Sequence, residues 1–185
     1  MMKDAIAHAE ERMKKAMEAL RRDLSTIRTG RASPALLDRV HVEYYGTDTP
    51  LNQVAGVSAP EARMLMIQPW DRGTIPAIEK AIQKSDLGLT PSNDGQVIRL
   101  SIPPLTEERR KQLVKTVHGM VEESKVAVRN IRRDAVHSVQ KLTTDKQISE
   151  DEERRGTTQI DDLSKQYTDQ ASAIGKEKER EVMED

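Results

Sequence analysis

Apolar and polar positions repeat along this chain with two different periods, and the change of period divides it. From Val114 to Leu142, the residues Val114, Val117, Val121, Ser124, Val128, Ile131, Ala135, Ser138 and Leu142 fall alternately three and four apart. Each is apolar or small, so the spacing predicts a seam down one side of a long helix, as in a coiled coil. Thr106 is the expected N-cap, with Glu107 and Glu108 suiting the positive first turn. That helix should reach about Lys146, a length of about 60 Å at 1.5 Å per residue. Residues 2–28 read as another helix, with Ile6, Ala9, Met13, Ala16, Leu20, Leu24 and Ile27 on one face. Ser149 with Glu152 opens a last helix through a capping-box pattern. Its face, Ile160, Leu163, Tyr167, Ile174 and Val182, is weaker than the other two.

Between the first two helices the period falls to two. Val40, Val42 and Tyr44 alternate with polar neighbours, Val54 to Ser58 and Arg63 to Gln68 have strand length, and Val97 to Ile102 alternates again. Gly46 to Pro50 and Pro91 to Gly95 carry turn chemistry, and Ile75, Ile78, Ala81 and Ile82 fit one short helix. The expected fold is therefore α+β: an elongated, coiled-coil-like three-helix bundle with a small β/α/β domain inserted into it. Residues 1–29 and 106–185 form the bundle and 30–105 the insert. Two crossings join them, at Thr29, Gly30 and Arg31 and at Pro103, Pro104 and Leu105, and so permit hinges near 29–31 and 103–106. A bent object flexing at its elbow is expected. The seams can be satisfied within one chain, which predicts a monomer.

Composition narrows this picture. Aromatic residues are 2% of the 185 and Phe is absent, so the core must come from Val, Ile, Leu, Met and Ala, as suits a helix bundle. Tyr44, Tyr45 and Trp70 are expected to pack in the core or at an edge of the insert. Without cysteine there are no disulfides or thiolate metal sites, which fits a reducing cytosol. No apolar run approaches the ~20 residues that span a bilayer, and Met1 to Glu11 is too charged for a signal peptide. The default is a soluble cytoplasmic protein.

The net charge of −1 hides segregation: residues 106–146 hold 10 Lys and Arg against 6 Asp and Glu, whereas 147–185 hold 6 against 12. Lys125, Arg129, Arg132 and Arg133 gather about 90–120° from the long seam. A Lys14, Arg21 and Arg28 row recurs every seven residues on the first helix. Two readings of this shoulder stand side by side. In one it is a solvated face paired with Glu122, Glu123, Asp134 or the acidic last helix. In the other its guanidinium forks grip phosphates, which supply most sequence-independent affinity for RNA. An adaptor holding an acidic protein client is the rival binding function. Enzyme classes find no footing, since there is no Walker loop, dinucleotide fingerprint, His-Glu-x-x-His or nucleophile elbow, and His8, His41, His118 and His137 are scattered.

Five strings carry a family resemblance through the whole chain: Leu24-Ser25-Thr26-Ile27-Arg28-Thr29-Gly30-Arg31-Ala32-Ser33-Pro34, Val42-Glu43-Tyr44-Tyr45-Gly46, Ser85-Asp86-Leu87-Gly88-Leu89, Ile102-Pro103-Pro104-Leu105-Thr106-Glu107-Glu108-Arg109-Arg110 and Val126-Ala127-Val128-Arg129-Asn130-Ile131-Arg132-Arg133-Asp134. In order and spacing they resemble the bacterial ribosome recycling factor. The resemblance implies an L-shaped translation factor, not an enzyme. With elongation factor G and its GTP, such a factor splits the post-termination ribosome into subunits and releases mRNA and deacylated tRNA. It implies no cofactor of its own, and partners in the large ribosomal subunit with its rRNA and in elongation factor G, but neither DNA nor a membrane. Arg129, Arg132 and Arg133 would face rRNA with Lys125 and Arg21 near them, and Arg28 and Arg31 would join beside the elbow. The chain departs from the family at Ala171, Gly175 and Asp185, where larger apolar residues are usual. A frayed bundle end is the expectation there.

Overall fold

The structure, a computed structural model, describes residues 1–184; Asp185, one of the departures, lies outside them. The chain forms two compact units. One is Met1–Arg28 with the chain from Thr106 onward, and the other is Thr29–Leu105.

Three long helices make the first unit: α1 (Met2–Ser25), and the pair that the insert precedes, Glu107–Thr144 and Glu150–Met183. The first of these starts where the sequence puts it, because Thr106 Oγ1 accepts the Arg109 N–H at 3.1 Å. The second starts where Ser149 Oγ accepts the Glu152 N–H at 3.1 Å. Helix α1 stops three residues short of the expected Arg28. The Ser25 and Thr26 hydroxyls turn back onto the carbonyls of Arg22 and Asp23, both at 2.6 Å, and compete with the helical ladder.

In the second unit, β1 (His41–Tyr44) and β2 (Thr47–Pro50) form an antiparallel ribbon. The strands β3 (Ala55–Glu61), β4 (Met64–Pro69), β5 (Pro91–Asn93) and β6 (Ile98–Ser101) form an antiparallel sheet in the order β3-β4-β6-β5. Leu65 faces Leu100 and Ile67 faces Ile98 in register, and all four are fully buried, so period-two alternation places one face of the sheet in the core. Helix α2 (Ile75–Lys84) closes that core with Ile75, Ile78 and Ile82. Completing the chain order, α3 is Glu107–Thr144 and α4 is Glu150–Met183.

Two turn assignments change. Thr47–Pro50 is not part of a turn but the return strand of a hairpin whose turn is Tyr45 and Gly46 alone, at φ +49° and +78°. Positive φ at both central residues gives the twist such a two-residue turn needs. Pro91–Asn93 is likewise strand, and the turn falls at Gly95 and Gln96, closed by the Asp94 N–H donating to Val97 O at 3.3 Å. There Asp94 Oδ1 accepts the N–H groups of Gln96 and Val97, each at 2.9 Å. Tyr45 and Trp70 are also not core residues: they are 83% and 71% exposed.

The seam of α3 holds from Val117 to Ala135 and slips at both ends. Leu113 is buried where Val114 is half-buried, and Val139 where Ser138 is exposed. The buried positions recur about every 3.7 residues, close to a straight helix, so a strict 3.5 repeat drifts off the core over this length. On α4 the buried line is Gly156, Ile160, Ser164, Tyr167, Ala171, Gly175 and Val182. Ala171 and Gly175 therefore lie in the packed interface, and the helix continues unbroken through them to Met183. A Cβ at Gly175 would overlap Val121 Cγ2, so glycine here lets α3 and α4 approach closely.

Candidate nucleic-acid interface

The buried line of α3 fixes where its cations point. At about 100° per residue, Arg132 lies about 60° round the helix from that line, Lys125 about 80°, Arg129 about 120° and Arg133 about 160°. Burial follows this order: Arg132 and Lys125 are half-buried, while Arg129 and Arg133 are exposed. Arg133 is therefore not on the shoulder but near the back of the helix, facing solvent.

Both readings of the shoulder find residues to support them. Arg132 Nε donates to Asp161 Oδ1 of α4 at 2.6 Å, and Arg129 Nη1 lies 3.9 Å from Glu122 Oε1 on its own helix. Neither pair is fully buried; the Arg132 pair is half-buried and the Arg129 pair is open. The arginine side chains keep 40% and 50% of their surface, where an ion pair contributes at most about 1 kcal/mol and a stronger anion displaces it readily. Arg133 and Lys125 make no ion pair among the described residues. One neighbour escapes sequence reasoning altogether. Val126, 49% exposed, shares the outward stripe with Arg129, Asn130 and Arg133 at helical spacing, a stripe visible only once the buried line is known.

The row on α1 does not join this stripe. Arg21 lines a groove of about 500 Å³ with Leu24, Gln170 and Ile174, between α1 and α4. Lys14 pairs with Glu10 at 3.7 Å, and Glu10 in turn accepts from the buried Tyr167 of α4 at 3.4 Å. Helix α4 meets Arg132 on one side and this row on the other, so it separates the two sets of cations. Burial, with Glu10 beside it, raises the Tyr167 phenol above its usual value, so it stays a neutral donor. Arg28, three residues beyond α1, and Arg31, in the other unit, are both exposed.

The crossing segments have a clear local cause. Gly30 is at φ +79°, and a Cβ there would stand 3.2 Å from Leu105 Cγ, so residues from the two crossings touch. Ala32 N–H donates to Ala62 O at 2.7 Å and Ile102 N–H to Arg63 O at 2.8 Å. The tip of the β3–β4 hairpin thus anchors both crossings, just inside Arg31 and Pro103. Proline, confined to φ near −65°, does not fit at Gly30.

Comparison with known proteins decides the family. The family model described as "Ribosome recycling factor" matches residues 20–183. The chain belongs to the ribosome recycling factor family. It is 59% identical to the ribosome-recycling factor of Chloroflexus aggregans over 99% of each chain, and 55% identical to that of Thermomicrobium roseum over the full length of both. A solution structure of a ribosome recycling factor superposes with a TM-score of 0.74 at 42% identity, covering 98% of this chain and 97% of that one. A second likeness, at TM-score 0.63 and 46% identity over all of both chains, is to a T. thermophilus ribosome recycling factor. That protein is described with the E. coli elongation factor G, bound to the E. coli post-termination complex. As a member of this family the chain is a translation factor for ribosome recycling and not itself an enzyme. Among the described residues no group of three His, Asp or Glu side chains is placed to hold a metal ion, and no helix is long and apolar enough to cross a membrane.

Proposed function

We propose that this chain docks on the large ribosomal subunit after termination, with the outward stripe and shoulder of α3 lying on rRNA phosphates. With elongation factor G it then splits the ribosome, releasing mRNA and deacylated tRNA. GTP hydrolysis belongs to the partner, and the chain needs no cofactor of its own. It works as a cytoplasmic monomer, without DNA or membrane. The observation that carries this reading is the open cationic stripe of α3: Arg129 and Arg133 face solvent one turn apart, flanked by Lys125 and Arg132, on a helix whose opposite side is fully committed to the bundle. Arg21, Arg28 and Arg31 belong to a second, separate set of contacts in this account.

Motion at 29–31 and 103–106 lets the inserted unit transmit force while the bundle stays docked. The test is light scattering of post-termination ribosomes with elongation factor G and GTP. The double variant Arg129→Glu, Arg133→Glu should bind large subunits poorly and leave the scattering signal high. Unchanged splitting by a folded variant would overturn the reading. Gly30→Ala, forced into positive φ against Leu105, should bind normally and split slowly. Normal splitting would remove the hinge from the mechanism.

A further inference from the structure

Of Arg129, Arg132 and Arg133 on α3, only Arg132 is held by a hydrogen bond among the described residues, its Nε–H donating to Asp161 Oδ1 at 2.6 Å. Arg129 comes within 3.9 Å of Glu122 through Nη1, too far for a hydrogen bond. The atom used at Arg132 matters. A guanidinium carries one N–H on Nε and four on its two Nη nitrogens. Asp161 takes the Nε–H, so the end fork, with an N–H from each Nη, is left over. Among the described residues neither Nη is a buried atom without a partner, and the side chain keeps 40% of its surface. The fork therefore opens to solvent. A phosphate that takes it can leave Asp161 in place.

Asp161 is placed to act across the helix contact. It follows the fully buried Ile160 and lies in the interior of α4, where aspartate is a poor helix former. Its carboxylate bonds to α3 and not to its own backbone. The pair is too open to add much stability, so what it fixes is direction.

We infer that Asp161 is a positioning residue for phosphate recognition: it holds the Nε edge of Arg132 so that the Nη1–Nη2 fork is preset for a phosphate of rRNA. A free arginine gives up rotamer freedom when it binds, and a tethered one has already lost it. The inference rests on the proposed docking of α3 on rRNA. It runs against simple charge, by which an acid beside a phosphate site only weakens binding.

Large-subunit affinity of the full chain separates orientation from charge. Asp161→Asn and Asp161→Ala remove the same charge, but only asparagine keeps a side-chain oxygen to accept the Nε–H. Asp161→Asn should bind about fivefold more tightly than Asp161→Ala, the size of ordering one long side chain. That gap should vanish in an Arg132→Met background. Alanine is the better helix former, so Asp161→Ala should melt no lower than Asp161→Asn. Both should keep the parent's salt slope, since Arg132 retains its charge, whereas Arg132→Met should lower it by about one. Equal affinities for the two Asp161 variants, a gap that persists without Arg132, or a gap matched by earlier melting of Asp161→Ala overturns the inference and leaves the α3 reading standing. A parent whose affinity ignores salt overturns the α3 reading, and the inference with it.

Discussion

The outward stripe of α3 and the hairpin corner of the insert are both open to solvent, yet their chemistry is opposed. The first has arginines, a valine and no ring. The second has the exposed Tyr45 and Trp70 rings, and Tyr45 donates to Asp71. A surface built for phosphates needs forks of positive charge, and the acids beside these arginines, Glu122 and Asp161, form only pairs that keep contact with solvent. The two faces therefore suit different contacts, and the proposed docking on rRNA involves the first alone.

The largest effect should come from breaking the first face alone. Arg129→Glu with Arg133→Glu should weaken large-subunit binding by about a hundredfold at low salt, measured by co-sedimentation, because two phosphates go unpaired and two repulsions replace them. Trp70→Ala should leave that binding untouched. A loss of binding from Trp70→Ala would merge the two faces into one. Arg132→Glu is a poorer probe, because it would set two carboxylates together across the α3–α4 contact with Asp161.

The contrast also requires a stiff bundle, which Gly175 tests. Alanine there should cost about 1–2 kcal/mol in denaturant unfolding despite its better helix propensity, because Val121 is branched and cannot move aside. Gly156→Ala should lose nothing, since the atom it meets is the flexible Met2 Sδ at 2.6 Å. Equal losses at both sites would mean that close helix approach is not what the glycines provide. A smaller gain is expected at Lys146, which ends α3 at φ +60°. There Lys146 N–H donates to Thr143 O and Gln147 N–H to Leu142 O, a cap that favours glycine. Lys146→Gly should add about 1 kcal/mol, read from the unfolding midpoint.

The smallest effect belongs to the insert. Two backbone N–H groups and Arg99 hold the Asp94 carboxyl down to about 2, below the usual 3.8. A depressed folded value contributes stability above the unfolded value, and that contribution disappears as pH falls through the folded one. The melting temperature of Asp94→Asn should therefore lie below the parent at neutral pH and converge with it between about pH 4 and pH 2. Parallel curves would show that the charge is not what matters.

How much of this is legible in the sequence differs between the two units. Helix starts at Thr106 and Ser149 and the seam from Val117 to Ala135 follow from local rules, and the structure agrees with them. The slip at Leu113 and Val139 does not, because a seven-residue repeat and a 3.6-residue helix part company only over many turns. In the insert, Gly46 to Pro50 looks like turn chemistry throughout. Only pairing with β1 shows that the turn is two residues and the rest strand. The arginines of α3 stand out by type and spacing. That α4 separates them from Arg21 is tertiary information, as is the exposure of Tyr45 and Trp70, where residue type argues for burial.

The central claim is that the exposed cations of α3 meet phosphate. Large-subunit affinity of the parent and of Arg129→Glu, Arg133→Glu should be measured across a salt series. The parent should weaken steeply as salt rises, and the variant should show a shallower slope, reduced by about one for each phosphate it no longer engages. Identical slopes for the two proteins would contradict the account.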